Sequence, residues 1–68
     1  MLAPGEVMYY IVEILRSTVS KTVGQFEELE MARRAAYRQS AKSGLKVEVR
    51  NEINHVVDSF MAWTEYDY

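Results

Sequence analysis

One segment of the chain has a specific preference for a helix, and it limits how the rest can fold. Residues Glu27 to Ser43 are rich in Glu, Ala, Arg and Met, which are good helix formers. Acidic residues come first and basic residues follow, which is the order that a helix dipole favours. Gly44 comes next, where a left-handed residue commonly ends a helix. The sequence therefore predicts a helix from Glu27 to Ser43.

The apolar residues of this segment form one stripe. Phe26, Leu29, Ala32 and Ala36 follow helical spacing, so they are expected on the face that packs against the rest of the protein. The two alanines have small side chains, which let a helix lie close to a sheet. Arg33 is expected to flank this stripe.

The segments on either side of the helix fit two periodicities. Read as helices, both present an apolar face, and the alternative fold is then an all-α domain of three helices. However, Met8 to Leu15 and Lys46 to Val57 contain many Val, Ile and Tyr residues, which prefer the pleated surface of a sheet. We therefore prefer strands in both segments.

Polar residues divide these segments into four strands. A first strand is expected near Met8 to Arg16 and a second near Lys21 to Gln25, with Ser and Thr residues between them. Asn51 and Asn54 mark a turn between the last two strands, because asparagine tolerates the left-handed conformations of tight hairpins. The predicted fold is α+β, with a four-stranded antiparallel sheet, one helix packed on one face, and the order ββαββ.

A single helix covers only one face of such a sheet. Val47 and Val49 alternate with charged residues and are expected to face the helix. The first strand is apolar on both faces, which predicts an uncovered apolar surface. The residues predicted to form this partner-binding sheet face are Tyr9, Ile11, Val57, Met61 and Trp63. The sequence leaves open that they are ordinary core, because a shift of one residue in register exchanges the two faces.

The last hairpin leaves one residue unexplained. A turn at Asn51 to Asn54 places Arg50 opposite His55, and alternation then directs Asp58 towards the helix. A carboxylate on the core face is unfavourable, and a β-bulge is the expected explanation.

Length and composition limit the organisation of the chain. Its 68 residues predict one small domain, 1–68, with flexible ends at about 1–6 and 65–68. The chain has no cysteine, so disulfides cannot add stability, and oligomerisation, for example a homodimer, is the remaining means. A cytoplasmic location is expected, because no readable secretory signal or membrane-spanning run is present.

The sequence offers little for catalysis. His55 is the one imidazole, and a lone histidine beside a hairpin turn is usually a solvated turn residue. Phosphate-binding, calcium-binding and His/Cys metal patterns are missing. We expect no enzymatic activity, no catalytic residues, no metal and no cofactor.

Basic residues in the second half of the helix are the basis for an alternative function. Arg33, Arg34, Arg38 and Lys42 are able to contact phosphates, and this is the alternative hypothesis of a small nucleic-acid-binding module. They also have a simpler role, because bases near a helix C-terminus offset its dipole and pair with nearby acids. The pI of about 5.3 favours the simpler role, so nucleic acid is the less favoured partner.

Several of these residues together resemble a known group. The pattern consists of Phe26, Leu29, Ala32, Arg33, Ala35 and Ala36, then Gly44, then Val47, Glu48 and Val49. It is similar to the small phage-encoded ββαββ proteins, which include anti-CRISPR proteins and inhibitors of host RNA polymerase. Residues Asn51 to Asn54 depart from the group, where a glycine-containing turn is usual. The resemblance implies a protein-binding inhibitor that occludes a surface on a bacterial host complex.

Overall fold

The computed structural model of the chain describes residues 8–61. The elements, in chain order, are β1 (Tyr9–Arg16), β2 (Val19–Phe26), α1 (Leu29–Ser43), β3 (Val47–Arg50) and β4 (Val56–Phe60). This order confirms the predicted ββαββ arrangement and the α+β class. The three-helix alternative is wrong, because the β-branched segments on both sides of α1 pair as strands. The ends that we predict to be flexible, and Trp63, lie outside the described residues.

The four strands form one antiparallel sheet in the order β2-β1-β3-β4. The first hairpin (β1 and β2) and the last hairpin (β3 and β4) therefore meet through β1 and β3, in the middle of the sheet. Helix α1 packs across one face, and the core lies between this helix and the two central strands. Its buried members are Ile11, Ala32, Ala36, Val47 and Val49. The predicted inward orientation of Val47 and Val49 is confirmed.

Helix α1 is shorter than predicted at its N-terminus. Leu29, the first helical residue, is 37% exposed and is not part of the buried stripe, whereas Phe26 ends β2 and packs against the core from the sheet. Ala32, Ala36 and Ser40 are the buried residues of α1. The Ser40 hydroxyl donates to the Leu45 carbonyl oxygen at 2.7 Å, which satisfies a polar group inside the core.

Gly44 ends α1 as predicted. It has φ 74°, in the left-handed region, and its N–H donates to the Ser40 carbonyl at 2.8 Å. A Cβ added there would meet no heavy atom within 4 Å, so only the backbone conformation restricts this position.

We expect Gly44→Ala to lower the free energy of unfolding by about 1 kcal/mol, because a Cβ is disfavoured in the left-handed region. Urea denaturation measures this loss. Gly44→Asn is the matched control and should lose less, since asparagine tolerates the same conformation. Equal losses for the two variants would contradict the conformational explanation.

The register of the sheet shifts at three places. One lies near the β1–β2 turn, where the pairs Ile14↔Ser20 and Arg16↔Val19 leave Leu15 as an additional residue in β1. The pairs Ile11↔Gly24 and Val12↔Thr22 leave Val23 as an additional residue in β2. The pairs Val49↔Asp58 and Arg50↔Val56 leave Val57 as an additional residue in β4. Each bulge places two neighbouring residues on the same side of its strand.

The bulge in β4 keeps Asp58 on the helix side of the sheet. Arg50 pairs with Val56, so the predicted pairing of Arg50 with His55 is wrong by one residue. Asp58 is directed towards α1, as alternation predicts, and its Oδ2 lies 2.9 Å from the Nε of Arg33. An ion pair at the edge of the core therefore accommodates this carboxylate.

The turn between β3 and β4 depends on its asparagines. Asn54 has φ 67°, which confirms the left-handed residue expected in this turn. The Asn51 side-chain oxygen accepts hydrogen bonds from the backbone N–H groups of Ile53 and His55, at 3.1 and 2.9 Å. This Asx-type arrangement replaces the glycine-containing turn.

Candidate functional site

Strand β1 presents to the helix the residues that were predicted for its outer face. Ile11 pairs with Val49, and residues paired across a sheet lie on the same face. Ile11 is 4% exposed and belongs to the core, and Tyr9 packs against that core. The predicted placement of Tyr9 and Ile11 on the face away from α1 is wrong. Both faces of β1 are apolar, so its composition did not distinguish them.

The face of the sheet away from α1, called here the outer sheet face, has an apolar row from β1. Tyr10, Val12 and Ile14 form this row by alternation with the inward residues. Val12 is 5% exposed, and its neighbours across the sheet are Thr22 and Glu48. Val12 therefore offers little apolar area to a partner, whereas Tyr10 and Ile14 on either side of it are partly exposed.

Strand β3 adds a row of charges to the outer sheet face. Glu48 accepts hydrogen bonds from the Nε and Nη2 atoms of Arg50 at 2.9 and 2.6 Å, and Lys46 Nζ lies 3.7 Å from its other oxygen. The Glu48 side chain is only 13% exposed. These contacts compensate its charge and leave β3 as a polar strip between β1 and β4.

The last hairpin and the residue after it carry a group of exposed apolar side chains. They are Ile53, Val56, Val57 and Met61, which are 68%, 51%, 43% and 36% exposed; Leu15 and Val19 of the first hairpin are each 43% exposed. We call the first four residues the β4 patch. The exposure of Val57 and Met61 agrees with their predicted position away from the core, whereas Trp63 lies outside the described residues. Strand β4 is also an edge strand, because β3 is its one partner in the described sheet.

The basic residues of α1 separate into two groups. Arg33 is held by Asp58 at 2.9 Å and by Glu30 at 3.7 Å. The other three bases, Arg34, Arg38 and Lys42, have no carboxylate within ion-pair distance among residues 8–61. Their spacing of four residues places them along one side of the helix surface. The structure therefore brings together three of the four predicted electrostatic residues.

A groove runs beside these three bases, between α1 and the β1–β2 hairpin. We call it the helix groove; its volume is about 480 Å³. Its apolar walls come from Ile11, Val23, Phe26, Met31 and Ala35, and its polar lining from Gln39, Arg34, Arg38 and Lys42. A smaller cavity of about 280 Å³ lies towards β4, where Tyr37 and Phe60 meet edge to face at 6.2 Å, and it shares Arg34 and Arg38 with the helix groove.

The sequence pattern does not predict the helix groove, because this groove depends on the bulge at Val23. This bulge directs Val23 towards the helix side, where it packs against the core. Gly24 was the available signal, since glycine inside a strand often marks a bulge or a close approach. A Cβ on Gly24 would lie 3.2 Å from the Ile11 side chain, which is such a close approach.

Glu13 lies on the helix side of β1, and only 7% of it is exposed. Its Oε2 accepts a hydrogen bond from Gln39 Nε2 at 3.0 Å. The hydrogen bonds from Gln39 and Ser43 lower the pKa of Glu13, against the opposing effect of burial. The charge of Lys21 lowers this pKa further. Glu13 therefore remains a carboxylate at neutral pH, beside a lining residue of the helix groove.

Acid–base groups do not gather into a reactive site in the part of the chain that the structure describes. His55 is exposed in the β3–β4 turn. Within residues 8–61, no cluster of three or more His, Asp or Glu side chains is arranged to hold a metal ion. No helix among them is long and apolar enough to cross a membrane.

No protein-family model matches this chain, and neither a curated protein nor a solved structure shows significant similarity to it. The resemblance to the phage-encoded ββαββ proteins stays a prediction.

Proposed function

We propose that this chain is a non-enzymatic protein-binding domain that contacts its partner through the β4 patch. The observation that carries the proposal is the exposure of Val56 and Val57 on one short edge strand, with Met61 directly after its end and Ile53 in the turn before it. Exposed apolar side chains that are contiguous in this way are typical of interaction sites.

The β4 patch offers a partner two kinds of contact. Full burial of a Val, Ile or Met side chain contributes about 1.5–3 kcal/mol, so burying even part of the patch favours association. The edge of β4 that has no partner strand among residues 8–61 also offers backbone N–H and C=O groups to an added strand. Together these contacts support binding of a protein rather than of a small molecule.

The kind of partner follows from the resemblance described above. The chain acts as a phage-type inhibitor in the bacterial cytoplasm, and it covers a working surface on a host complex such as a CRISPR effector. A homodimer formed through the same patch is the second form of this proposal, since self-association commonly covers such a surface.

Val57→Asp tests the proposal, with Val19→Asp as a matched control. Both valines lie on edge strands of the described sheet and both are 43% exposed, so the two changes should lower stability by similar amounts, about 1 kcal/mol each. Wild type and both variants are used for affinity capture from a bacterial lysate. Capture of the partner should fall at least tenfold for Val57→Asp and remain unchanged for Val19→Asp. The partner covers position 57 but not position 19, so only the new carboxylate at position 57 would be buried without a partner.

Light scattering over a concentration series separates the two forms. A dimer that dissociates in Val57→Asp but not in Val19→Asp supports self-association, whereas a monomer with Val57-dependent capture supports a foreign partner. A monomeric protein that captures nothing, or equal loss with both variants, would contradict binding through the β4 patch.

A further inference from the structure

We propose that the helix groove is a second binding site, and that it takes an acidic protein segment with apolar side chains. It lies on the helix side of the sheet, away from the β4 patch. The proposal rests on the combination of apolar walls with three bases that have no carboxylate partner among the described residues.

The charges of the helix groove are arranged for an anionic partner. Arg34, Arg38 and Lys42 are exposed and follow one another along α1 at intervals of about 6 Å of helix rise. Alternate residues of an extended peptide are separated by about 6.6–6.8 Å. Carboxylates at every second position therefore match the spacing of these bases.

The apolar walls of the helix groove favour a partner that also has apolar side chains. Val23 and Phe26 are partly buried and belong to the margin of the core, while Met31 is 49% exposed. In an extended segment, side chains between the carboxylates point to the opposite side and can enter the groove. Apolar contacts add to the ion pairs, which alone contribute little at an exposed surface.

Nucleic acid fits this surface less well. Glu27, Glu28 and Glu30 are exposed at the N-terminal end of the same helix region and would repel a phosphate chain that continued along it. Arg33, which would extend the positive surface, is already paired with Asp58. A short acidic segment avoids this repulsion because its carboxylates contact only Arg34, Arg38 and Lys42.

The experiment uses fluorescence anisotropy with labelled synthetic peptides and the full chain. The first peptide alternates glutamate with leucine, the second replaces glutamate with glutamine, and the third replaces leucine with serine. The first should bind at least tenfold more tightly than either of the others, and its affinity should fall as salt rises. Oligothymidine is the fourth probe, and it should bind more weakly than the first peptide.

Arg38→Glu should weaken binding of the glutamate–leucine peptide at least tenfold. Arg16→Glu is the matched control, because Arg16 is also exposed, has no ion pair among the described residues and lies outside the groove. Its affinity should stay within twofold of wild type. Arg38→Gln and Lys42→Gln give the same test without charge reversal, and circular dichroism confirms that each variant is folded.

Four outcomes would overturn the proposal. They are absence of binding by the glutamate–leucine peptide, equal affinity for the glutamate–serine peptide, tighter binding of oligothymidine, and an equal loss in Arg16→Glu. The second outcome would indicate charge attraction alone, and the third would indicate a nucleic-acid site.

Discussion

Replacing Ala36 with leucine is expected to lower the free energy of unfolding by about 1–3 kcal/mol, the usual cost of overpacking a core. Ala36 is fully buried where α1 lies on the sheet, and the neighbouring core residues Val47 and Val49 are fully buried as well. A leucine there has no free volume to occupy, so helix and sheet must move apart. A domain of this length has a total stability of about 3–10 kcal/mol, so the loss is a large fraction of it.

Ala41→Leu is the control for this prediction. Ala41 lies on the same helix but is exposed, and alanine and leucine both favour the helix strongly. Its effect should not exceed about 0.5 kcal/mol. Thermal unfolding measures both variants, since each kcal/mol shifts the midpoint by about 4–8 °C in a domain of this size. If Ala36→Leu were as stable as wild type, the close packing of α1 on the sheet would be contradicted.

The close packing at Ala36 belongs to the part of the fold that sequence patterns predict. The helix has a distinct composition and a glycine terminator, and Val47 and Val49 alternate with charged residues. Each of these signals is local, so each can be read without knowing which strands pair. The order ββαββ and the helix-facing side of β3 follow from them.

The orientation of β1 is a different kind of problem. Apolar residues occupy both faces of this strand, so its own sequence does not distinguish core from surface. The choice follows from pairing: Ile11 lies beside Val49, which already faces the helix. The sequence pattern therefore assigns Tyr9 and Ile11 to the wrong face of β1. Val57 and Met61, which it places away from the core, are exposed.

The candidate sites depend even more on tertiary structure. The three bases are visible in the sequence as a series, but the ion pair of Arg33 with Asp58 depends on which strand lies beside the helix. The helix groove requires the bulge at Val23 and the distance between α1 and β2. This bulge has no specific sequence signature beyond Gly24, so these surfaces were not predictable residue by residue.

Gln39→Leu is expected to lower the free energy of unfolding by about 1–3 kcal/mol at neutral pH. Gln39 donates to Glu13 Oε2 at 3.0 Å, and Glu13 is only 7% exposed. Leucine keeps the helix-forming preference but removes the donor, which leaves a buried carboxylate with fewer hydrogen bonds. Urea denaturation of both proteins measures the difference. Gln25→Leu on the exposed side of β2 is the control and should change stability by less than about 0.5 kcal/mol.

The pH dependence of this loss identifies its cause. Because the hydrogen bond from Gln39 lowers the pKa of Glu13 below its ordinary value of 4.5, the carboxylate stabilises the fold above that value. The contribution is lost as pH falls through the lowered pKa of the folded state, where Glu13 becomes protonated. The difference between wild type and Gln39→Leu should therefore be widest near neutral pH and should narrow in acid. A difference that stayed constant from neutral pH into acid would mean that Gln39 acts through packing and not through the Glu13 carboxylate.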